Sequence, residues 1–108
     1  MNKVIRLFIA ALIVVETITA TDLRGRVDGI HGYAPKPFPL SGARVTLFLP
    51  NPTGGYTSIA SAVSGADGMY YLKNIQPGNF VLQVNDTNYP LAVRAVPSQE
   101  ITPVLLRF

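Results

Sequence analysis

Cysteine and tryptophan are absent from this 108-residue chain, and histidine occurs once. Without cysteine there can be no disulfide, no thiolate metal site and no cysteine nucleophile. A small domain made this way must rely on sheet pairing and apolar packing. A lone histidine, His31, cannot assemble the several ligands and open position of a catalytic zinc centre without clustered carboxylates, and Asp and Glu together number only 6. Charge is sparse as well. With Lys and Arg at 9, the formal net charge of +3 is too weak and too scattered to select nucleic acid or an anionic membrane surface. Helical periodicity is also missing, since no window of a dozen residues carries a stripe at helical spacing.

The one long apolar run lies at the start. Lys3 and Arg6 precede it, Leu7 to Val15 are uninterruptedly apolar, and "ETITA" ends on the small Ala20. This order reads as a secretory signal peptide, residues 1–20, cleaved after Ala20. The competing reading is an uncleaved membrane anchor, but a span needs about 20 apolar residues and Glu16 interrupts this one. Residues 21–108 then form one exported domain, secreted or at the cell envelope, with no membrane span left after cleavage.

Within that domain, alternation at period two dominates and predicts an all-β chain. Leu23, Gly25 and Val27 alternate with Arg24 and Arg26; Val45, Leu47 and Leu49 form a second strand from near Ala43; Tyr56 to Val63 is a third. Met69 to Leu72, Phe80 to Val84, Leu91 to Val96 and Ile101 to Phe108 complete seven, the signature of a two-sheet Greek-key-type sandwich. "GADG" and "QPG" are expected to close two hairpins, with Gly78 in the left-handed region that a type II turn requires. Pro103 cannot donate to a ladder, so the last strand should begin at a sheet edge or carry a bulge. Asp28 to Gly42, stiffened by Pro35, Pro37 and Pro39, is the one long connection.

These residues also resemble a known family. "LRGRV", "PLSGARVTLF" and "GADGMYYLKNIQPGNFVLQV" are similar, in order, to the carboxypeptidase regulatory-like domains, which share a transthyretin-like (prealbumin-like) sandwich and are related in shape to the starch-binding-domain-like group. The correspondence runs through Gly25, Val27, Pro39, Leu40, Gly42, Ala43, Val45, Asp67, Gly68, Tyr70, Leu72, Pro77, Gly78 and Phe80. Most of these are turn formers or core positions, so the resemblance implies a fold. It also implies a domain without its own active site, usually appended to enzymes, receptors or outer-membrane transporters.

The side chains themselves offer little chemistry. The serines lack an elbow motif and a base, and no helix follows "GADG" to bind a phosphate. An isopeptide cross-link of the kind found in pilin and adhesin modules needs Lys, Asn and an acid together. Lys36 and Lys73 both fall in expected loops, and "EITPVLLRF" has no Asn. Asn85-Asp86-Thr87 is a glycosylation sequon, relevant in a eukaryotic secretory pathway. A membrane barrel ending on Phe108 would need strands of about 9 to 11 residues, longer than Met69 to Leu72, so Phe108 is expected to pack at the sandwich edge. No enzyme, cofactor or metal site is expected.

Binding is the remaining possibility. If successive strands alternate in direction, the first, third and fifth connections share one end of the sandwich, collecting Tyr33, Phe38, Asp67, Asn85, Asp86, Asn88 and Tyr89. Aromatic faces beside amides and carboxylates suit sugar recognition. The expected function is an exported non-enzymatic module that binds a protein or polysaccharide partner at the cell envelope. The alternative is a scaffold or assembly subunit acting through an exposed strand edge.

Overall fold

The computed structural model describes residues 19–33 and 36–108; residues 1–18, with Ala34 and Pro35, lie outside the description. Most of the expected signal peptide therefore falls outside it. Among the described residues no helix is long and apolar enough to cross a membrane.

The alternation read above becomes two packed sheets. In chain order the strands are β1 (Thr21–Ile30), β2 (Phe38–Pro39), β3 (Arg44–Pro50), β4 (Tyr56–Val63), β5 (Met69–Ile75), β6 (Gly78–Val84), β7 (Thr87–Val93), β8 (Ser98–Glu100) and β9 (Val104–Arg107). One sheet is built on β1, which pairs antiparallel with β5 and β2 along one side and parallel with β8 and β9 along the other. The second sheet is antiparallel in the order β4-β3-β6-β7. Period two decides the inward set: Leu23 and Val27 of β1, Val45 and Leu47 of β3, Leu72 of β5, and Leu82 and Val84 of β6 are all buried. Arg24 and Arg26 point outward, and Arg24 pairs with Glu100 across the β1–β8 ladder. Each fully buried Val or Leu stabilises the sandwich by about 1.5–3 kcal/mol.

Several expectations need correction. Seven strands become nine because the long first connection turns back, so that Phe38–Pro39 pairs with Gly29 and Asp28, and because an unexpected short strand, Ser98–Glu100, forms ahead of the last one, which begins only at Val104 and leaves a split along β1. Pro103 lies in that split, between Glu100 and Val104, where its missing N–H interrupts the ladder. The expected strand from Leu91 to Val96 is displaced to Thr87–Val93. "GADG" and "QPG" close no hairpins, since β4 and β5, and likewise β5 and β6, belong to different sheets. Their turn chemistry dictates a reversal but not which sheet receives the next strand. Gly68 does adopt φ 78°, whereas Gly78 sits at φ 153°, far from a type II turn, and the left-handed residue near that reversal is Asn74 at φ 57°. The consecutive strands that do pair antiparallel are β1 with β2, β3 with β4, and β6 with β7.

Gly25 is a position where only glycine fits. It is paired with Tyr70 across β1–β5, and the tyrosine ring lies over it so closely that an added Cβ would meet the hydroxyl oxygen at 2.2 Å. Tyr70 is almost wholly buried, and its hydroxyl has no hydrogen-bond partner. Burial pushes its pKa up from 10.0 to about 12. Gly25→Ala should therefore destabilise the chain by about 1–3 kcal/mol through overpacking, measurable by urea denaturation. A tyrosine raised in the folded state contributes stability that is complete below its unfolded pKa and is lost as pH rises through the folded value. Between pH 10.0 and about 12, stability should fall by roughly 2–3 kcal/mol from this group. Tyr70→Phe should remove that alkaline limb while leaving stability at neutral pH nearly unchanged.

Candidate functional site

The first, third and fifth connections of the expected sandwich lie at one end, joined by two side chains. The Ser64 hydroxyl is buried, accepts the Ala43 N–H at 2.9 Å and donates to the Leu40 carbonyl at 2.5 Å. Asn85 accepts the Arg44 N–H on Oδ1 at 2.9 Å, while its own N–H donates to the Arg44 carbonyl at 2.8 Å. Asn85 holds this position at φ 50° in the two-residue reversal between β6 and β7. Ser64 thus ties the end of β4 to the start of β3, and Asn85 ties β6–β7 to the same strand.

The candidate residues at this end have separate environments. Tyr33 is fully exposed, at 105% of its reference surface. Phe38 is half-buried and stacks on His31, with ring centroids 5.0 Å apart and planes 24° apart; His31 also meets Phe108 at 6.0 Å. Phe38 and Phe108 cover the bare inner side of Gly29, which places Phe108 at the sandwich edge as expected. Asp67 is exposed and caps its own turn by accepting the Met69 N–H at 3.0 Å. Asp86 is exposed at the tip of the β6–β7 reversal. Tyr89 lies within β7 rather than in a loop, half-buried against the core and lining a cleft with Leu91, Ile101 and Val104. Asn88 alternates with it and lies outward, beside Phe48, Tyr56, Val81 and Gln83. The end therefore brings the backbone of these loops together, while Tyr33, Phe38 and Tyr89 each keep different neighbours.

Among the described residues, no three His, Cys, Asp or Glu side chains come together. Ser64 is spent on two backbone partners. Lys73 is a surface group 3.9 Å from Asp22, and Lys36 is exposed, so neither ammonium lies inside the sandwich where a cross-link would form.

The sheet edges are more informative. An unpaired edge strand is a template for pairing with another chain, and natural edges are blunted with proline or charge. Here β7 carries Pro90, β5 carries Lys73, β2 ends on Pro39, β8 holds Glu100, and β9 holds Arg107. β4, "YTSIASAV", is an edge of the four-stranded sheet with neither. It is eight residues long, mostly exposed, and shows Tyr56, Ile59 and Val63 to solvent. Its single protection is a bulge where the register with β3 shifts between Leu47 and Phe48. Beside it, Leu49 and Ile59 open onto a cleft of about 370 Å³ that reaches Phe80 of the same sheet and Ile75 of the opposite layer.

No family model matches the chain, and no curated protein matches it. Solved structures do match. The chain is similar to the minor pilin of the Gram-positive pathogen Streptococcus agalactiae, with a TM-score of 0.65 at 13% identity over 83% of this chain and 45% of that one. It is similar also to a DUF3823 family protein from Parabacteroides merdae, with a TM-score of 0.52 at 18% identity over 84% of this chain and 46% of that one. This chain spans less than half the length of either neighbour. Likeness at such identity is one of fold, an all-β sandwich, and does not extend to the carboxypeptidase regulatory-like family in particular.

Asn85→Ala should lower stability by about 1–2 kcal/mol, since it removes a bond to Arg44 N and places a Cβ residue without a polar side chain in the left-handed region. Tyr33→Ala should leave the melting temperature unchanged. Thermal unfolding of the two variants separates the residue that builds this end from the one that is free to meet a partner.

Proposed function

We propose that this chain is an exported, non-enzymatic surface module that works in assembly at the cell envelope, taking up an extended segment of a partner protein along β4. The observation that carries this reading is the contrast among edges. Every other edge strand contains a proline or a charge, and β4 contains neither. Strand addition draws affinity from main-chain hydrogen bonds and specificity from alternate side chains that enter pockets. The cleft under Leu49 and Ile59 is placed to receive such side chains, because it opens between the β4 edge and the β5–β6 reversal. A protein partner fits a backbone edge better than a polysaccharide does. The sandwich shared with a minor pilin supports the surface-assembly class, and the basic start followed by an apolar run and Ala20 supports export.

Photo-reactive side chains placed at Thr57 or Ser61 in β4, in cells that produce the chain, should yield a discrete covalent adduct, whereas one at Ala92 in the proline-blocked β7 edge should not. Ser58→Lys with Ser61→Lys should abolish the adduct and leave the melting temperature within a few degrees, because both positions are exposed. Adducts of equal yield from β7, or adducts that ignore the lysines, would sink the reading.

A further inference from the structure

The outward face of the four-stranded sheet carries a feature separate from the β4 backbone edge. Phe48 and Tyr56 meet edge to face, with ring centroids 6.3 Å apart and planes at 71°. With Val81, Gln83 and Asn88 they line a shallow depression of about 120 Å³. Gln83 and Asn88 are direct partners across the β6–β7 ladder, so their amides project side by side from one face. Neither amide hydrogen-bonds to a described side chain, and no charged group lines the depression.

This composition selects a ligand class. The aromatic rings offer apolar faces, and each amide offers both donors and an acceptor. A pyranose divides its surface in the same way, with a C–H face and a rim of hydroxyls that donate and accept. An anionic ligand would find no cation here, and a wholly apolar one would leave the two amides without partners. We propose that the depression is a binding site for a neutral saccharide, the sugar's C–H face lying on Tyr56 or Phe48 and its hydroxyls bonding to Gln83 and Asn88. The competing account is that Phe48 and Tyr56 only hold the β3–β4 hairpin in register. It explains the rings and assigns nothing to the amides.

The test uses the purified chain titrated with cellohexaose, maltohexaose and chitohexaose, with a galacturonic acid hexamer as the anionic control, followed by amide NMR and calorimetry. At least one neutral oligomer should shift the side-chain amide signals of Gln83 and Asn88, and the galacturonic acid hexamer should not. Gln83→Ala with Asn88→Ala should weaken binding by about tenfold or more at unchanged melting temperature. Because Phe48 is half-buried and its removal could affect folding, Tyr56→Ala is the ring variant, and it should also weaken binding. The proposal is overturned if none of the three neutral oligomers binds, if the anionic hexamer binds as tightly as they do, or if the double amide variant binds like the parent.

Discussion

The five-stranded sheet depends on β1. Its ten residues carry the pairing of four other strands, β5 and β2 on one side and β8 and β9 on the other. The second pairing is parallel and joins segments more than seventy positions apart, as in Asp22 with Ser98 and Ile30 with Arg107. Parallel partners cannot be joined by a tight turn, so this ladder forms only when the chain has travelled through the other sheet and returned. Thr21 anchors the start of this strand from inside: its buried hydroxyl donates to the Arg94 carbonyl at 2.5 Å and accepts the Val96 N–H at 3.3 Å. At the far end the Phe108 N–H bonds to the Ile30 carbonyl, and Gly32 bonds to the Phe108 carbonyl. With no disulfide available, this return of the C-terminal segment to β1 does the closing that a cross-link does in many small exported domains.

The inward face of β1 shows how such a thin sandwich accommodates aromatic rings. At Gly25 and Gly29 the strand offers no side chain, and rings from elsewhere take the space: Tyr70 over the first, Phe38 and Phe108 over the second. A glycine in a strand interior weakens it by itself. Here the loss is offset by the apolar area that the rings bury, which is why a Gly-x-Val-x-Gly rhythm belongs to a strand and not to a loop. The Tyr70 hydroxyl is the cost of this arrangement, a polar atom enclosed without a partner.

Alternation made most of the strands legible, because the inward set of β1, β3 and β6 is a simple period-two reading. What could not be read was the sheet to which each strand belongs. "GADG" and "QPG" are sound reversal signals, yet a reversal between sheets and one within a sheet use similar residues. The candidate site shows the same division. Topology alone brings the loops to one end, but "NDTN" resembles a turn and draws Tyr89 into the loop, when Tyr89, Leu91 and Val93 form an inward alternation of their own. The outward position of Phe48 follows from the alternation of Val45, Leu47 and Leu49 in the sequence, although Leu49, at the end of the strand, is itself exposed. The lack of proline and charge from Tyr56 to Val63 was visible too; that the segment forms an edge is a fact of sheet order, which no local pattern encodes.

Edge protection links this fold to the use proposed for it. A chain that blunts β2, β5, β7, β8 and β9 with proline or charge has the residues needed to blunt β4 as well, and the serines at 58 and 61 are surface positions where a lysine would cost little. An open edge exposes the molecule to unwanted pairing, which small apolar domains can ill tolerate. Retaining one open edge among several closed ones directs strand pairing to a single place. The bulge opposite Leu47 and Phe48 limits the flat length available, and the adjoining cleft adds a side-chain requirement that a random exposed segment does not meet. Tyr56 stands where the two surfaces meet, as the first residue of β4 and one wall of the outward depression. Its ring and the β4 backbone edge thus belong to one residue that the β3–β4 ladder already holds opposite Pro50.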